Sequence, residues 1–143
     1  MASLNFSRLG RLRPGYGYIN FEDTGEGNIA PDDDGVWIYD LESNEKHLIV
    51  TLHDLLNFEP SSTMRDAEHY VNHLCFNPSG KRLLFFHRWI NYKNQEFTRM
   101  FSMSLSGEGL FLFPTSGMVS HVSWKSDKEI LVYADIKGRS EYY

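Results

Sequence analysis

The sequence predicts an all-β protein, and three observations support that class. Short segments rich in β-branched and aromatic residues alternate with polar turns along most of the chain. Aromatic residues make up 15% of the 143 residues, and aromatic side chains favour strands because they pack well across them. No segment keeps a 3.6-residue hydrophobic period for more than a turn or two. We therefore expect antiparallel strands joined by turns, without a long helix.

The first predicted strands form a hairpin. GVWIYDL at 35–41 and KHLIVTL at 46–52 flank the polar turn ESNEK, and GYGYINF at 15–21 is a further candidate strand. The next segment is predicted to be a long connection, because a proline and a Ser/Thr cluster interrupt the strand pattern. Within it, Thr63 is the candidate N-cap of one helical turn over 64–68.

The strand pattern resumes on both sides of the turn NPSG. Four strands are predicted in succession, at 71–77, 82–90, 96–105 and 110–114. They are followed by MVSHVSW and EILVYADI, which KSDK joins, and by SEYY at 140–143. The turns are short enough to predict antiparallel neighbours throughout this half of the chain.

A repeat within these strands predicts how they are organised. NHLCFNPSGKRLLFF at 72–86 aligns with SHVSWKSDKEILVY at 120–133 when one residue is deleted in the turn, so that Ala134 follows at the equivalent of His87. The alignment places His121 at the equivalent of His73, 48 residues later. That spacing matches the ~40–50 residues of a four-stranded β-propeller blade.

The fold class we predict is therefore an incomplete β-propeller of four-stranded antiparallel blades. The single domain would hold a partial blade at about 13–52, a connection at 53–70, a complete blade at 71–114 and a partial blade at 118–143. Propellers close with about 4–8 blades, so a chain of this length is too short to close alone. Either the chain is a fragment of a longer propeller, or several copies of the chain associate to complete the ring of blades. The position of SEYY in the middle of a predicted blade favours the first interpretation. Exposed blade edges also predict self-association.

Composition limits the classes of partner. A net charge of −5 and a pI near 5.6 argue against a nucleic-acid binder. Arg8, Arg11 and Arg13 form a short basic run that is expected to be solvated. Cys75 is the only cysteine, which excludes an internal disulfide and fits a reducing compartment. No signal peptide or membrane-length apolar stretch is visible, so the expected location is the cytoplasm.

Several of these segments resemble known propellers. WIYDLESNE and FNPSGKRLLF resemble blade segments of TolB-like and WD-type β-propellers. NHLCFNPSGKRLLFFHRW and MVSHVSWKSDKEILVYA resemble the oligogalacturonate lyase-like propellers. The chain is also similar to uncharacterised bacterial propellers associated with polysaccharide synthesis, in which GYGY, DDGVW, HRW, FTR and MVSH recur in this order. The resemblance covers the chain from about Arg13 to Tyr143.

The lyase-like resemblance implies a seven-bladed propeller, a manganese ion held mainly by histidines, and β-elimination of uronate oligosaccharides. Carried over by motif, the candidate ligands of a divalent metal such as manganese are His73, His87 and His121. Val122 and Ser123 follow His121, so the sequence supplies no second metal ligand close to that histidine.

The hairpin around NPSG offers a geometric test of the histidines. One antiparallel register sets His73 opposite His87, with their Cβ atoms roughly 4.5–5.5 Å apart, whereas a one-residue slip sets His73 beside Phe86. His121 begins the neighbouring inner strand, so three imidazoles could converge at the channel mouth. The alternative is that a polar residue is placed wherever an inner strand meets solvent. Because Ala134 stands at the equivalent of His87, His87 is the better functional candidate.

The motifs HRW and FTR contribute Arg88, Trp89 and Arg99 as candidate saccharide-binding residues. Guanidinium and indole groups at one end of neighbouring strands suit the recognition of a sugar or its carboxylate. A histidine could abstract a proton while Arg99 neutralises a uronate carboxylate. The alternative is an arginine stacked on an aromatic ring at the sheet surface.

The predicted function is binding of an acidic oligosaccharide or polysaccharide at the channel mouth, with metal-assisted eliminative cleavage as an extension. The alternative is a non-catalytic propeller scaffold for protein–protein contacts. Propellers host many functions, so the fold does not decide between these classes or whether the protein is an enzyme.

Overall fold

A computed structural model describes all 143 residues and confirms the prediction of a mainly β protein. Strands take 41% of the residues and helices 11%, and the strands form three antiparallel sheets of three, four and three strands. The chain does not form a closed propeller.

The elements follow one another in a simple order. They are β1 (Ala2–Ser3), α1 (Phe6–Leu12), β2 (Gly35–Tyr39), β3 (Lys46–Thr51), α2 (Leu52–Asn57), a 3-10 turn (Ser62–Met64), β4 (Glu68–Phe76), β5 (Arg82–Ile90), β6 (Glu96–Ser104), β7 (Phe111–Leu112), β8 (Val119–Trp124), β9 (Ile130–Ile136) and β10 (Arg139–Tyr142). The sheet orders are β1-β2-β3, β4-β5-β6-β7 and β10-β9-β8. None of the helices combines the length and the hydropathy needed to cross a membrane.

The residues fall into two compact units, which are described one at a time. The first unit contains residues 1–72 and 88–96, and the second contains residues 73–87 and 97–143. Strands β4, β5 and β6 contribute residues to both units.

In the first unit, the predicted hairpin between β2 and β3 is confirmed. The two strands pair antiparallel from Gly35 opposite Thr51 to Tyr39 opposite Lys46, with a bulge after Val36. The N-terminal strand β1 extends this sheet by pairing with β2. Val36 and Val50 point their side chains into the buried interior of the unit, which suits their β-branched shape.

The sequence did not predict the two short helices of the first unit. Helix α1 begins at the N-cap Asn5, whose side chain accepts a hydrogen bond from the Arg8 amide at 2.9 Å. Helix α2 begins with a capping box in which Thr51 and Asp54 each bind the other's backbone amide. Because these helices span 7 and 6 residues, they are too short to produce a readable hydrophobic period.

Two local predictions in the first unit are wrong. The helical turn expected over 64–68 is instead a 3-10 turn at Ser62–Met64, preceded by Ser61 in the capping position. Residues 15–21 form turns and bends rather than a strand. Their backbone packs on helix α1: the Tyr18 amide donates to the Phe6 carbonyl at 3.0 Å, and a Cβ added to Gly17 would lie 2.3 Å from that oxygen. The segment therefore pairs with a helix instead of a sheet edge.

In the second unit, the core lies between strands of two sheets. Its buried members are Leu84, Phe86, Met100, Val119, Val132 and Ala134. Partly buried aromatic and aliphatic side chains close its margin, namely Phe113, Val122, Trp124 and Ile130. Each strand contributes side chains from one of its faces to the core, because successive side chains of a strand point to opposite faces. The alternating apolar residues that predicted the strands are the ones on that face.

The turn NPSG is stabilised by its asparagine. Asn77 Oδ1 accepts hydrogen bonds from the amides of Lys81 and Arg82, both at 2.9 Å, and Gly80 adopts a positive φ of 69°. Asn77 Nδ2 and the Ser79 amide both donate to Asp127 Oδ1 at 2.8 Å. Asp127 belongs to the turn between β8 and β9, so the turns of the two sequence repeats are hydrogen-bonded to each other.

The four strands predicted between 71 and 114 pair in sequence as β4 to β7, and β8, β9 and β10 form the predicted second meander. Cys75 lies half-buried on β4 as a free thiol.

We predict that the stability of the second unit depends on the strand side chains that face its core. Leu84→Ala should lower the free energy of unfolding by about 2–5 kcal/mol, because Leu84 is 0% exposed and its loss leaves a cavity. The matched control is Leu131→Ala, which removes a side chain that is 52% exposed and should change stability by about 0.5 kcal/mol or less. Chemical denaturation measures both, and equal losses would contradict this description of the core.

Candidate functional site

The two histidines that the repeat aligns share an unusual backbone conformation. His73 on β4 has a φ of 54° and His121 on β8 a φ of 49°, both in the left-handed region. Between Ser120 and Val122 the pairing of β8 with β9 shifts register, so His121 is the extra residue of a bulge. Histidine is among the residues enriched in this conformation. The repeat therefore extends to the backbone conformation. That conformation accounts for a histidine at each position without any bound metal or other ligand.

The hairpin register differs from the one that sets His73 opposite His87. The Asn77 amide donates to the Arg82 carbonyl at 3.0 Å, which closes the turn one residue tighter than that register requires. The ring of His73 stacks on Phe86, with centroids 4.7 Å apart. His73 thus has the neighbour expected from a one-residue slip, and the cause is the asparagine-stabilised turn.

His87 is completely buried in the second unit and bonded to an arginine. Arg99 Nε donates to His87 Nδ1 at 3.1 Å, so this nitrogen carries no proton. The Arg99 guanidinium also lies 4.9 Å from the centroid of the Phe101 ring. This contact resembles the stacked arginine–aromatic pair that was the alternative to saccharide binding, but both residues are buried instead of lying at the sheet surface.

The three histidines therefore occupy different environments. His73 packs on an aromatic ring, His87 is buried beside a guanidinium, and His121 is exposed with its Nδ1 2.6 Å from Ser120 Oγ. No group of three or more histidine, cysteine, aspartate or glutamate side chains is placed to hold a metal ion. The donor set does not fit a metal in this arrangement, so we derive no chemical step from one, and the three-histidine site stays a prediction.

Arg88 and Trp89 lie in the first unit, and both side chains are buried. Trp89 Nε1 donates to Thr63 Oγ1 at 3.2 Å, and its ring stacks near His69 with centroids 6.0 Å apart. Trp89 thus contributes to internal packing. Arg88, in contrast, belongs to a polar cluster at the edge of the unit that the sequence did not reveal.

In this cluster, three side chains from different parts of the chain converge on one carboxylate oxygen. Arg13 Nη1 donates to Glu96 Oε1 at 2.7 Å and Arg88 Nη1 donates to the same atom at 2.8 Å. The Tyr70 hydroxyl donates to it as well. We call Arg13, Tyr70 and Arg88 the carboxylate cradle, because together they surround a carboxylate with two positive charges and a phenol.

The cradle is supported from beneath by Asn72. Arg88 Nε donates to Asn72 Oδ1 at 3.1 Å, which fixes the plane of the guanidinium. Asn72 is itself buried, and its Nδ2 has no hydrogen-bond partner. Glu96 is more accessible, since its side chain is 37% exposed. The cradle is therefore rigid on the arginine and asparagine side and open on the glutamate side.

The electrostatics of the cluster match its geometry. Burial alone would raise the pKa of Glu96, but the hydrogen bonds from Tyr70 and Arg88 and the nearby guanidinium charges lower it overall. Burial, together with the adjacent Glu96 carboxylate, raises the pKa of Tyr70 to about 12. At neutral pH the cluster therefore contains an ionised Glu96 and a protonated phenol.

The basic run at 8–13, which was expected to be solvated, is largely built into the first unit. Arg8 is buried and donates to the backbone carbonyls of His69, Asn28 and Ile29 at 2.6, 2.9 and 3.0 Å. Burial lowers the pKa of Arg8 despite the nearby carboxylates. The solvated interpretation is wrong because the partners of these arginines lie far away in sequence, where local charge patterns carry no signal.

Arg11 joins two carboxylates beside this buried arginine. Its guanidinium reaches Asp23 Oδ2 at 2.8 Å and Glu68 Oε2 at 2.6 Å. The hydrogen bonds that Arg11 donates to Glu68 and to Asp23 raise the pKa of Arg11 despite its partial burial. The bridge connects the loop after α1 to the beginning of β4.

Comparisons of the chain with protein-family models, with curated proteins and with solved structures find no match. The functional assignment therefore depends on the geometry of the residues themselves.

We predict that the backbone, rather than the imidazole, explains the histidine at 121. His121→Val should lower the free energy of unfolding by about 1–2 kcal/mol, because a β-branched residue is strained in the left-handed region. His121→Gly should stay within about 1 kcal/mol of the wild type, since glycine adopts that conformation freely. The control is Ser123→Val on the same strand, which should be tolerated. Equal losses in the glycine and valine variants would show that the side chain itself is needed.

A second prediction concerns alkaline pH. The pKa of Tyr70 is raised to about 12 in the folded protein, above the unfolded value of about 10. Its stabilising contribution is therefore complete below pH 10 and is lost as the pH rises towards 12. Between pH 9 and pH 11, wild-type protein should lose about 1 kcal/mol more stability than Tyr70→Phe, which has no ionisable phenol. Urea denaturation at the two pH values measures this, and identical losses would contradict the assignment.

Proposed function

We propose that this chain binds an acidic saccharide through the carboxylate cradle, as part of a β-propeller-like protein. The observation that carries the proposal is the convergence of Arg13, Tyr70 and Arg88 on a single carboxylate oxygen of Glu96. A uronate carboxylate on a ligand has the same charge and the same acceptor geometry as Glu96. It would take the place of the glutamate in the cradle.

Exchange at the cradle is supported by the asymmetry of its contacts. All three of these hydrogen bonds end on the same carboxylate oxygen, Glu96 Oε1. A side chain that is 37% exposed can rotate towards solvent at moderate cost, while the buried Arg88 stays fixed by Asn72. Displacement of Glu96 therefore leaves a preformed anion site rather than a collapsed one.

An aromatic ring at the cradle favours a sugar over a simple acid. The guanidinium of Arg13 lies 4.4 Å above the centroid of the Tyr16 ring, and Tyr16 is exposed. Exposed aromatic faces stack on the apolar faces of pyranose rings, and the adjacent arginine is positioned for a carboxylate on the same ring. Among the residues first considered for saccharide binding, Arg88 keeps this role. Trp89 and Arg99 instead support the interior.

The propeller part of the proposal draws on the repeat. A four-stranded meander of β4 to β7, followed by a hairpin with a left-handed histidine at the position equivalent to His73, suits consecutive blades at 71–114 and 118–143. Edge strands such as β10, whose four residues are exposed, would favour self-association of the chain. Eliminative cleavage of such a ligand is a further proposal, and polygalacturonate, with and without added manganese, tests it through the absorbance of unsaturated products.

The binding proposal predicts a gain of affinity when the internal carboxylate is removed. Glu96→Gln should bind oligogalacturonate at least tenfold more tightly than wild type, because the ligand no longer displaces an intramolecular anion; tenfold corresponds to about 1.4 kcal/mol. Adding Arg13→Gln to this variant should reverse the gain, since one of the two guanidinium groups is lost. Isothermal titration calorimetry measures both.

Two controls make this result specific. Glu108→Gln removes an exposed carboxylate from the turn between β6 and β7 and should leave the affinity unchanged. Methyl-esterified oligogalacturonate has the same sugar rings without the carboxylate charge. Neither variant should bind this ligand more tightly than the wild type does. Equal binding of the esterified and acidic ligands, or no gain in Glu96→Gln, would refute the cradle as the saccharide site.

A further inference from the structure

The loop that follows α1 presents a row of large apolar side chains to solvent. Tyr18, Ile19 and Phe21 are 61%, 82% and 71% exposed. All three line an open cavity of about 530 Å³, which we call the loop cavity, together with polar residues that include Glu22 and Glu26. A group of apolar side chains this exposed on one loop is typical of an interaction surface rather than of ordinary surface composition.

The loop is held in this conformation by the body of the first unit. The Gly17 backbone is packed so closely on α1 that a Cβ would lie 2.2 Å from the Gly10 nitrogen. The Tyr18 ring packs on Phe6, with centroids 4.9 Å apart. Arg11 binds Asp23 at the far end of the loop. The loop is therefore anchored at both ends, so less of its backbone has to be ordered when a partner binds, which lowers the entropic cost of binding.

The charge at the loop cavity is negative. Arg11 is the cation that lines it, and Asp23 and Glu68 already neutralise that guanidinium. Glu22 and Glu26 are exposed, and neither forms an ion pair with a cation of this chain. Two unpaired carboxylates beside exposed aromatic rings complement a cation on an apolar stem, because the rings attract cations through their faces and the carboxylates attract them directly.

We propose that the loop cavity is the docking site for a segment of a partner protein in which lysines are flanked by apolar residues. The lysine stem would lie against Tyr18 and Phe21 and place its ammonium between Glu22 and Glu26. A small free amine would leave Ile19 and Phe21 largely uncovered, whereas the apolar neighbours of a lysine in a peptide would bury them. This site does not depend on the carboxylate cradle, and it attracts the opposite charge.

The test uses a peptide of defined sequence. Acetyl-Leu-Lys-Leu-Lys-Leu-amide, titrated into the isotope-labelled full chain, should shift the backbone amide resonances of residues 18–26. Acetyl-Leu-Glu-Leu-Glu-Leu-amide, which differs only in charge, should not shift them. The double variant Glu22→Gln/Glu26→Gln should weaken binding of the lysine peptide at least tenfold, and Phe21→Ser should weaken it by a similar factor.

The matched control is Glu42→Gln/Glu45→Gln, which removes two exposed carboxylates from the turn between β2 and β3 and should not change the affinity. An equal loss in this control would show nonspecific attraction to an acidic chain and overturn the proposal. So would an absence of shifts at 18–26. Spermidine binding as tightly as the peptide would overturn it too, by showing a small-amine site instead of a protein docking surface.

Discussion

The first unit depends on one buried guanidinium. Arg8 lies on α1 and donates hydrogen bonds to carbonyl groups at Asn28, Ile29 and His69, so one side chain joins the N-terminal helix, the following loop and the beginning of β4. A buried charge is tolerated only when its donors are satisfied, and here backbone carbonyls satisfy them. Tyr70 follows His69 directly, and Arg13 follows the end of α1. The positions of two of the three cradle residues therefore depend on Arg8.

The repeat in the second unit is a repeat of backbone shape as much as of side chains. A histidine in the left-handed conformation occurs at the same point of β4 and β8, and on β8 it coincides with a shift in strand register. This changes how the histidines are interpreted. Their recurrence, which suggested a shared ligand, is explained by a conformation that both strands require. His87 has no counterpart in the second repeat, and its partner is an arginine of its own unit.

The strands could be predicted from sequence because their signals are local. Alternating apolar residues, the turn NPSG and short polar connections identify the three hairpins without reference to the rest of the chain, although β4 begins at Glu68 rather than at the predicted residue 71. The candidate site could not be predicted in the same way. Arg13 and Glu96 are 83 residues apart, and only the folded backbone brings them together. The two short helices were missed for a different reason, since caps alone define them.

The hydrogen bonds from Asn77 and Ser79 to Asp127 have a consequence for how the second unit folds. In repeat architectures, stability is the sum of what each repeat contributes and of the coupling between neighbours. Here the two turns are joined at Asp127 Oδ1, and this contact adds to the coupling that the shared core of the two hairpins provides. We therefore expect the two hairpins to unfold cooperatively, because opening one turn breaks the hydrogen bonds that it shares with the other.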